Sequence, residues 1–288
     1  MPHRLTLLAL LVLLALPACG GTRAPAPPSP DAAVLLRLAP PVGQVSRYQG
    51  IIETTMEMPD MPMMASPTTV RQTVHSTQTV LAADGDTRHL TVIIDSVAID
   101  APGVFGMMGQ SALMMEGLTQ RIAMTTRGEI VSSEIEDSTL TTELRQAMGT
   151  VQDVVSGLSL ELPAEPVSWG ATWRVPVEKS VPLGNIGSMN QSMEFTYRFE
   201  RLELRDGARH AMLAFSGPIR QTMRSDSTAS MQLEMELEGE FTGQMDLNID
   251  AGRVEAMQAT MGFDGFMTAM EQDITMVMTM KMEQALVP

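Results

Sequence analysis

A long stretch of strictly alternating residues constrains the fold of this chain more than any other feature. From Thr228 to Asp250 every even position is polar, and every odd position is apolar or glycine. A period of two is typical of a β-strand with one buried face. As one straight strand the stretch would extend about 75 Å, beyond the usual strand length. The strand must therefore bend or turn, and Gly239 and Gly243 are the expected places. The unbroken parity predicts one bent strand or a loop with an odd residue count.

Similar alternation recurs along most of the chain. It predicts strands at Val45–Met58, Val70–Ala83, Thr87–Ile99, Met193–Leu204, Ala208–Ser216, Arg253–Phe263 and Ile274–Glu283. A change of phase near Glu200 and Arg201 predicts a β-bulge. The sequence Asp84-Gly85-Asp86 predicts a hairpin turn, and Asp206-Gly207 predicts another.

Two segments have helical spacing instead. Apolar residues recur every three or four positions between Leu140 and Leu158, which predicts an amphipathic helix over residues 139–157. A shorter helix is expected around Met107–Leu118. The predicted fold is therefore mainly β, with a minor helical part: a large curved antiparallel sheet or half-barrel of roughly ten to twelve strands, with one or two inserted helices.

Charge and motifs exclude several classes of function. The formal net charge of −15 opposes nucleic-acid binding, which depends on Lys and Arg. A single cysteine rules out an intramolecular disulfide and a multi-cysteine metal site. No nucleophile elbow, zinc-protease motif or phosphate-binding loop occurs in the sequence. We therefore expect neither enzymatic activity nor a dissociable cofactor.

The N-terminus carries a short hydrophobic leader. His3 and Arg4 precede an apolar run over residues 5–16, which is too short to span a bilayer. The run ends in Leu16-Pro17-Ala18-Cys19, which resembles the lipobox of a bacterial lipoprotein signal peptide. The resemblance implies cleavage before Cys19 and covalent attachment of a diacylglycerol and an N-acyl chain to that residue. Such acyl chains give stable membrane anchoring.

The expected organisation follows from this leader. Residues 1–18 are the signal peptide, residues 19–33 are the lipidated cysteine and a proline-rich tether, and residues 34–288 are a single β-rich domain. Gly20 is not the aspartate that the lipoprotein class associates with retention at the inner membrane. The resemblance therefore implies a lipid-anchored protein at the outer membrane, facing the periplasm.

The predicted architecture also resembles known lipid carriers. A curved sheet with a helix is similar to the half-barrel of periplasmic lipoprotein carriers and of mycobacterial lipid-binding lipoproteins. The element from Val167 to Trp173 resembles a short motif of β-rich envelope lipoproteins. These resemblances imply location and fold rather than an activity.

Methionine is unusually frequent, with 27 residues in the chain. Most occupy the apolar positions of the predicted strands, where they either fill the core or line a pliable cavity. The second reading predicts that the concave face binds a lipid, an acyl chain or an envelope protein. Its candidate ligand-binding residues are Met231, Met235, Met276, Met278 and Met280.

A methionine cluster supports an alternative function. Met56, Met58, Met61, Met63 and Met64 crowd a proline-containing segment, which is expected to be a loop. Thioethers are soft ligands for Cu(I) or Ag(I), so soft-metal binding is one alternative. A purely structural envelope protein is the other.

The other polar candidates give weaker signals. The predicted hairpin separates His75 and His89 too far to share a metal ion. Glu234, Glu236, Glu238 and Glu240 share one strand face, where a solvated outer surface is the simplest interpretation and weak Ca²⁺ binding is the alternative.

Overall fold

The computed structural model describes residues 33–61, 66–102, 115–136, 160–182, 187–225, 233–269 and 272–288. These residues form an antiparallel sheet of eleven strands. The strands are β1 Val45–Glu57, β2 Thr68–Asp84, β3 Thr87–Asp100, β4 Thr119–Thr125, β5 Ile130–Ile135, β6 Thr172–Pro182, β7 Ser188–Arg205, β8 Ala208–Arg224, β9 Leu233–Asn248, β10 Arg253–Ala269 and β11 Gln272–Val287. The mainly β prediction and its strand number are confirmed.

The sheet consists of two meanders joined by the first and last strands. Its order is β5-β4-β3-β2-β1-β11-β10-β9-β8-β7-β6, so β1 pairs with β11. Within the described ranges the edge strands β5 and β6 do not pair with each other, and the curved sheet is open.

No helix occurs among the described residues. The helix predicted over residues 139–157 lies outside them, as does most of the one predicted around Met107–Leu118, where Met115–Gly117 form a turn. The part of the chain that the structure describes therefore contains no helix long and apolar enough to cross a membrane.

The described part of the alternating segment is a single strand, which is one of the two alternatives that the unbroken parity predicts. This strand is β9, and its parity holds from Leu237 to Leu247. A Cβ atom at Gly239 would lie 1.9 Å from the carbonyl oxygen of Gly262 on β10. The neighbouring backbone therefore occupies the space where a side chain would begin. A Cβ atom at Gly217 or Gly265 would likewise lie 1.8 or 2.0 Å from a carbonyl oxygen of the neighbouring strand, so glycine permits a close backbone approach at all three positions.

Two of the five register shifts in the described sheet lie in β7 and β10, where they adjust which residues face the core. One lies between Phe199 and Arg201 and confirms the predicted bulge. The other lies between Val254 and Ala256 on β10, and it leaves Glu255 without an opposite residue on β9. A bulge of this kind re-aims one side chain without disturbing the strands beyond it.

The concave side of the sheet, here called the inner face, holds the hydrophobic core. Phe199, Leu213 and Leu247 are almost fully buried there. The opposite, outer face carries charged side chains, including the glutamates of β9 and the arginines of β8. Charge on a lipid-facing strand surface is destabilising, so this face suits contact with water.

Two extended segments close one end of the sheet. We call residues 34–40 the first strap and residues 160–167 the second strap. Val34 and Val167 join them through two backbone hydrogen bonds of 2.9 Å. Leu36 and Leu162 are fully buried, one from each strap. The amides of Leu38 and Leu162 donate hydrogen bonds to the turn between β4 and β5, which fixes the straps to this end.

Candidate apolar binding face

One row of apolar side chains crosses the inner face at the end away from the straps. Strand register places its members opposite one another in succession from β7 to β11. We call this set the upper apolar row: Met189, Met223, Met235, Met267 and Ile274. Met189 is buried and the other four are partly exposed. The row therefore presents a deformable apolar surface that is only partly covered by this chain.

A polar pair lies directly beneath this row. Gln191 on β7 is opposite Gln221 on β8, and the amide nitrogen of Gln221 donates a hydrogen bond to the sulfur of Met189 at 2.6 Å. The side chain of Gln191 is buried, and none of the described residues hydrogen-bonds its Oε1. A buried acceptor without a donor costs about 1–3 kcal/mol. A ligand group that donates a hydrogen bond would remove that cost.

Four of the five predicted ligand-binding methionines share this face. Register places Met276 opposite Gly265, Met278 opposite Phe263 and Met280 opposite Met261. Met276 is buried, whereas Met278, Met280 and Met235 are partly buried and pack against the core. Met231 lies outside the described residues. The structure therefore brings four of them together, and their binding of a ligand stays a prediction.

An aromatic cluster fills the middle of the inner face. The rings of Trp173 and Tyr197 stack at 5.4 Å, and those of Phe195 and Phe241 lie 4.3 Å apart. Phe215 completes the cluster, at 5.9 Å from Tyr197. Sequence reasoning missed it, because the aromatic residues are few and belong to four different strands.

The cluster is anchored to the second strap. The indole nitrogen of Trp173 donates a hydrogen bond of 2.9 Å to the carbonyl oxygen of Glu161. Burial raises the pKa of Tyr197 far above its usual value, and the nearby Glu161 carboxylate raises that pKa further. This part of the face is packed, so any room for a ligand lies towards the upper apolar row.

The methionine cluster is a loop only in part, because it begins inside the predicted strand Val45–Met58, observed as β1. Met56 lies in β1 and faces inward opposite Met278, because β1 continues its pairing with β11 as far as Glu57. Met58 is buried, and Met61 packs against the core. Met63 and Met64 lie outside the described residues. Soft-metal binding stays a prediction, but three of the five candidate ligands pack against the hydrophobic core: Met56, Met58 and Met61.

A carboxylate fixes the turn after β1. Asp60 accepts a hydrogen bond of 2.8 Å from the backbone amide of Thr275 on β11. This hydrogen bond lowers the pKa of the Asp60 carboxyl. The turn is thereby held beside the strand that carries Met276 and Met278.

The acidic row on β9 faces outward. Arg220 pairs with Glu236 at 3.0 Å and with Glu238 at 2.5 Å, and Arg224 pairs with Glu234 at 3.0 Å. These two arginines on the adjacent strand form ion pairs with three of the four glutamates. The row is therefore an exposed ion-pair ladder on the outer face.

The two histidines of the predicted hairpin occupy different places in the sheet. His75 lies opposite Ser96 and hydrogen-bonds Gln49 and Ser96, whereas His89 lies opposite Ala82. Nothing in the sequence indicated that a third histidine, His210, has acidic neighbours. His210 meets Asp246 and Glu255 on the outer face, and their ligand atoms all lie within 4.8 Å of one another. Only the pairing of β8 with β9 and the bulge in β10 reveal that meeting.

Comparisons with known proteins identify no family for this chain. No protein-family model matches the sequence, and no curated protein matches it.

Among solved structures, a mutant porin of Rh. blastica is 6% identical, covers 84% of this chain and 100% of its own, and has a TM-score of 0.29. OmpF of Salmonella typhi in complex with daunomycin is 6% identical, covers 84% and 98%, and has a TM-score of 0.27. An outer membrane channel of Pseudomonas putida F1 is 9% identical, covers 86% and 97%, and has a TM-score of 0.21. Similarity at this level carries no argument about the present chain.

Proposed function

We propose that this protein is a non-enzymatic lipoprotein of the cell envelope, and that its inner face binds the acyl chain of a lipid. The upper apolar row is the observation that carries the proposal. Its four methionines and Ile274 form a continuous apolar surface across five strands, and four of the five side chains are partly exposed. Unbranched thioether side chains adapt to flexible chains of varied shape.

The polar pair beneath the row adds a feature that plain core packing does not need. Gln191 keeps its Oε1 buried and without a hydrogen bond from any described residue. An amphipathic lipid whose polar part donates a hydrogen bond would satisfy this oxygen while its acyl chain covers the methionines. We therefore favour a ligand with a hydroxyl or amide near its acyl chain.

The position of the straps is consistent with membrane anchoring. The tether from Cys19 joins the folded part at the first strap, which closes the end opposite the upper apolar row. Extended at about 3.1 Å per residue, residues 19–33 reach about 45 Å. Such a tether lets the apolar row turn away from the anchoring membrane or towards it.

Anchoring is tested with globomycin, which blocks cleavage of lipoprotein signal peptides. In a Gram-negative host, we expect the drug to cause the unprocessed precursor to accumulate. We also expect Cys19→Ala to abolish acylation, with Gly21→Ala as the matched control that keeps it. Labelling with a clickable fatty acid measures the acylation. Unchanged processing under globomycin, or acylation of the Cys19→Ala variant, would contradict a lipid anchor at Cys19.

Ligand binding is tested by titrating the full chain in detergent with a fluorescent monoacylglycerol, whose glycerol hydroxyls can donate a hydrogen bond to Gln191. We expect Met235→Glu to weaken binding by at least about tenfold, because a carboxylate placed in an apolar site is costly to desolvate. Thr242→Glu is the matched control: it adds the same charge to β9, but at an exposed position of the outer face. Equal affinity of both variants, or no binding by the unmodified protein, would overturn the proposal.

A further inference from the structure

Three potential metal ligands converge on the outer face, near the end that the straps close. His210 lies on β8, Asp246 on β9 and Glu255 at the bulge of β10. Oδ1 of Asp246 is 2.9 Å from Nδ1 of His210, and Oε2 of Glu255 is 3.9 Å from the same nitrogen. His210 and Asp246 are buried, and Glu255 is half-buried. One imidazole nitrogen is therefore faced by two carboxylate oxygens.

Each carboxylate is oriented by a second hydrogen bond on its other oxygen. Arg205 donates to Oδ2 of Asp246 at 2.5 Å, and Asn248 donates to Oε1 of Glu255 at 2.8 Å. The oxygens that remain, Oδ1 and Oε2, both point towards His210. Partners that fix the outer oxygen of a carboxylate in this way are a regular feature of metal sites.

A proton on Nδ1 of His210 serves only one of the two carboxylate oxygens that face it. One N–H group donates well to one acceptor, so Asp246 takes the hydrogen bond and the Glu255 oxygen at 3.9 Å is left beyond hydrogen-bond distance. A cation in place of the proton would interact with the nitrogen and with both oxygens. The bulge strengthens this reading, because the inserted residue is the one that supplies the third ligand atom.

We propose that His210, Asp246 and Glu255 bind a divalent cation of the Zn²⁺ class. One imidazole nitrogen and two carboxylate oxygens form a mixed ligand set that suits Zn²⁺. Two arginines face the site. Arg205 pairs with Oδ2 of Asp246 and also with Glu203 at 2.8 Å. Arg253 lies 3.4 Å from Oε1 of Glu255 and also donates to Ser46 at 3.3 Å. Both guanidinium groups therefore contact the outer carboxylate oxygens and leave Oδ1 of Asp246 and Oε2 of Glu255 for the cation.

A depression in the outer face reaches one member of the cluster, Asp246. It has a volume of about 330 Å³, and Arg205, Met212 and Ala256 also form part of its lining. Zinc sites with three protein ligands take a water molecule in the fourth position, and the depression brings water as far as Asp246. The cluster and the upper apolar row lie on opposite faces, so this site is independent of the proposed lipid binding.

The proposal is tested by titrating the metal-stripped full chain with Zn²⁺, followed by calorimetry and a thermal-shift measurement. We expect one ion per chain and a higher melting temperature when it is bound. Glu255→Gln retains the shape of the side chain and an oxygen for Asn248, and it should weaken binding by at least about tenfold. Asp246→Asn should do the same. His75→Gln is the control, because it removes a strand histidine elsewhere and should leave the affinity unchanged.

Two results would overturn the proposal. The first is no saturable binding of Zn²⁺ by the unmodified protein at micromolar concentrations. The second is equal affinity of the Glu255→Gln variant, measured after its circular dichroism spectrum and metal-free melting temperature confirm that it folds. A loss of affinity in His75→Gln as large as in Glu255→Gln would likewise place the ion elsewhere.

Discussion

Replacing Gly239 by alanine should lower the free energy of unfolding by about 2–4 kcal/mol, a large effect for the addition of one methyl group. The new Cβ would lie 1.9 Å from the carbonyl oxygen of Gly262 and 3.1 Å from the Cα of Phe263. Backbone atoms cannot move aside as the end of a flexible side chain can. β9 and β10 would have to separate, which breaks hydrogen bonds and opens the core between Leu237 and Phe241.

Gly262→Ala is the matched control for this prediction. Gly262 lies on the adjacent strand, but nothing lies within 4 Å of the position its Cβ would take. The substitution should change stability by less than about 1 kcal/mol, and in the stabilising direction, because alanine costs less backbone entropy than glycine. Urea unfolding followed by circular dichroism measures both. Equal effects at the two positions would show that the backbones of β9 and β10 do not approach each other closely at Gly239.

The features that the sequence predicted correctly are local to a strand. Parity predicted the long strand that contains Gly239, and a change of parity predicted the bulge near Arg201. Both depend on which side of one strand a residue faces, and that is a property of neighbouring residues. The inward position of Met235 and Met276 followed from the same rule.

The features that escaped prediction depend on contacts between distant segments. Nothing near Val34 indicates that it pairs with Val167, and each strap is too short for a periodic signal. The cluster of His210, Asp246 and Glu255 needs the register of three strands and a bulge at Val254, none of which an isolated sequence reveals. The prolines predicted a loop for the methionine cluster, and the sequence alone could not show that Met56 pairs with Met278 on β11.

The straps determine which end of the inner face remains partly exposed. Because they fill one end of the inner face, the apolar surface that remains partly exposed lies at the other end, around Met235 and Met267. The chain enters the first strap directly after the proline-rich tether. A protein anchored in this way would be fixed to its membrane at the packed end and would leave the deformable end free to meet a ligand. The stability of the end that the straps close therefore matters for this arrangement.

Replacing Leu36 by alanine is expected to lower the free energy of unfolding by about 2–5 kcal/mol, the usual cost of truncating a fully buried leucine. Its side chain has 0% exposure, although it lies only a few residues from the start of the described part of the chain. The loss should exceed that of a residue in an ordinary frayed terminus, because the first strap is held by Val167 on one side and by the turn at Thr126 on the other. Removing Leu36 would leave a cavity against the core and loosen the second strap as well.

Leu35→Ala provides the comparison within the same strap. The adjacent side chain is 44% exposed, so the same truncation there should change stability by less than about 1 kcal/mol. Chemical unfolding of both variants, monitored by the fluorescence of the two tryptophans, separates the two cases. Trp173 should report the loosening directly, because its indole hydrogen bond to Glu161 depends on the second strap. If Leu36→Ala were as mild as Leu35→Ala, the first strap would be a dispensable extension, and the closed end would have to be held by the second strap alone.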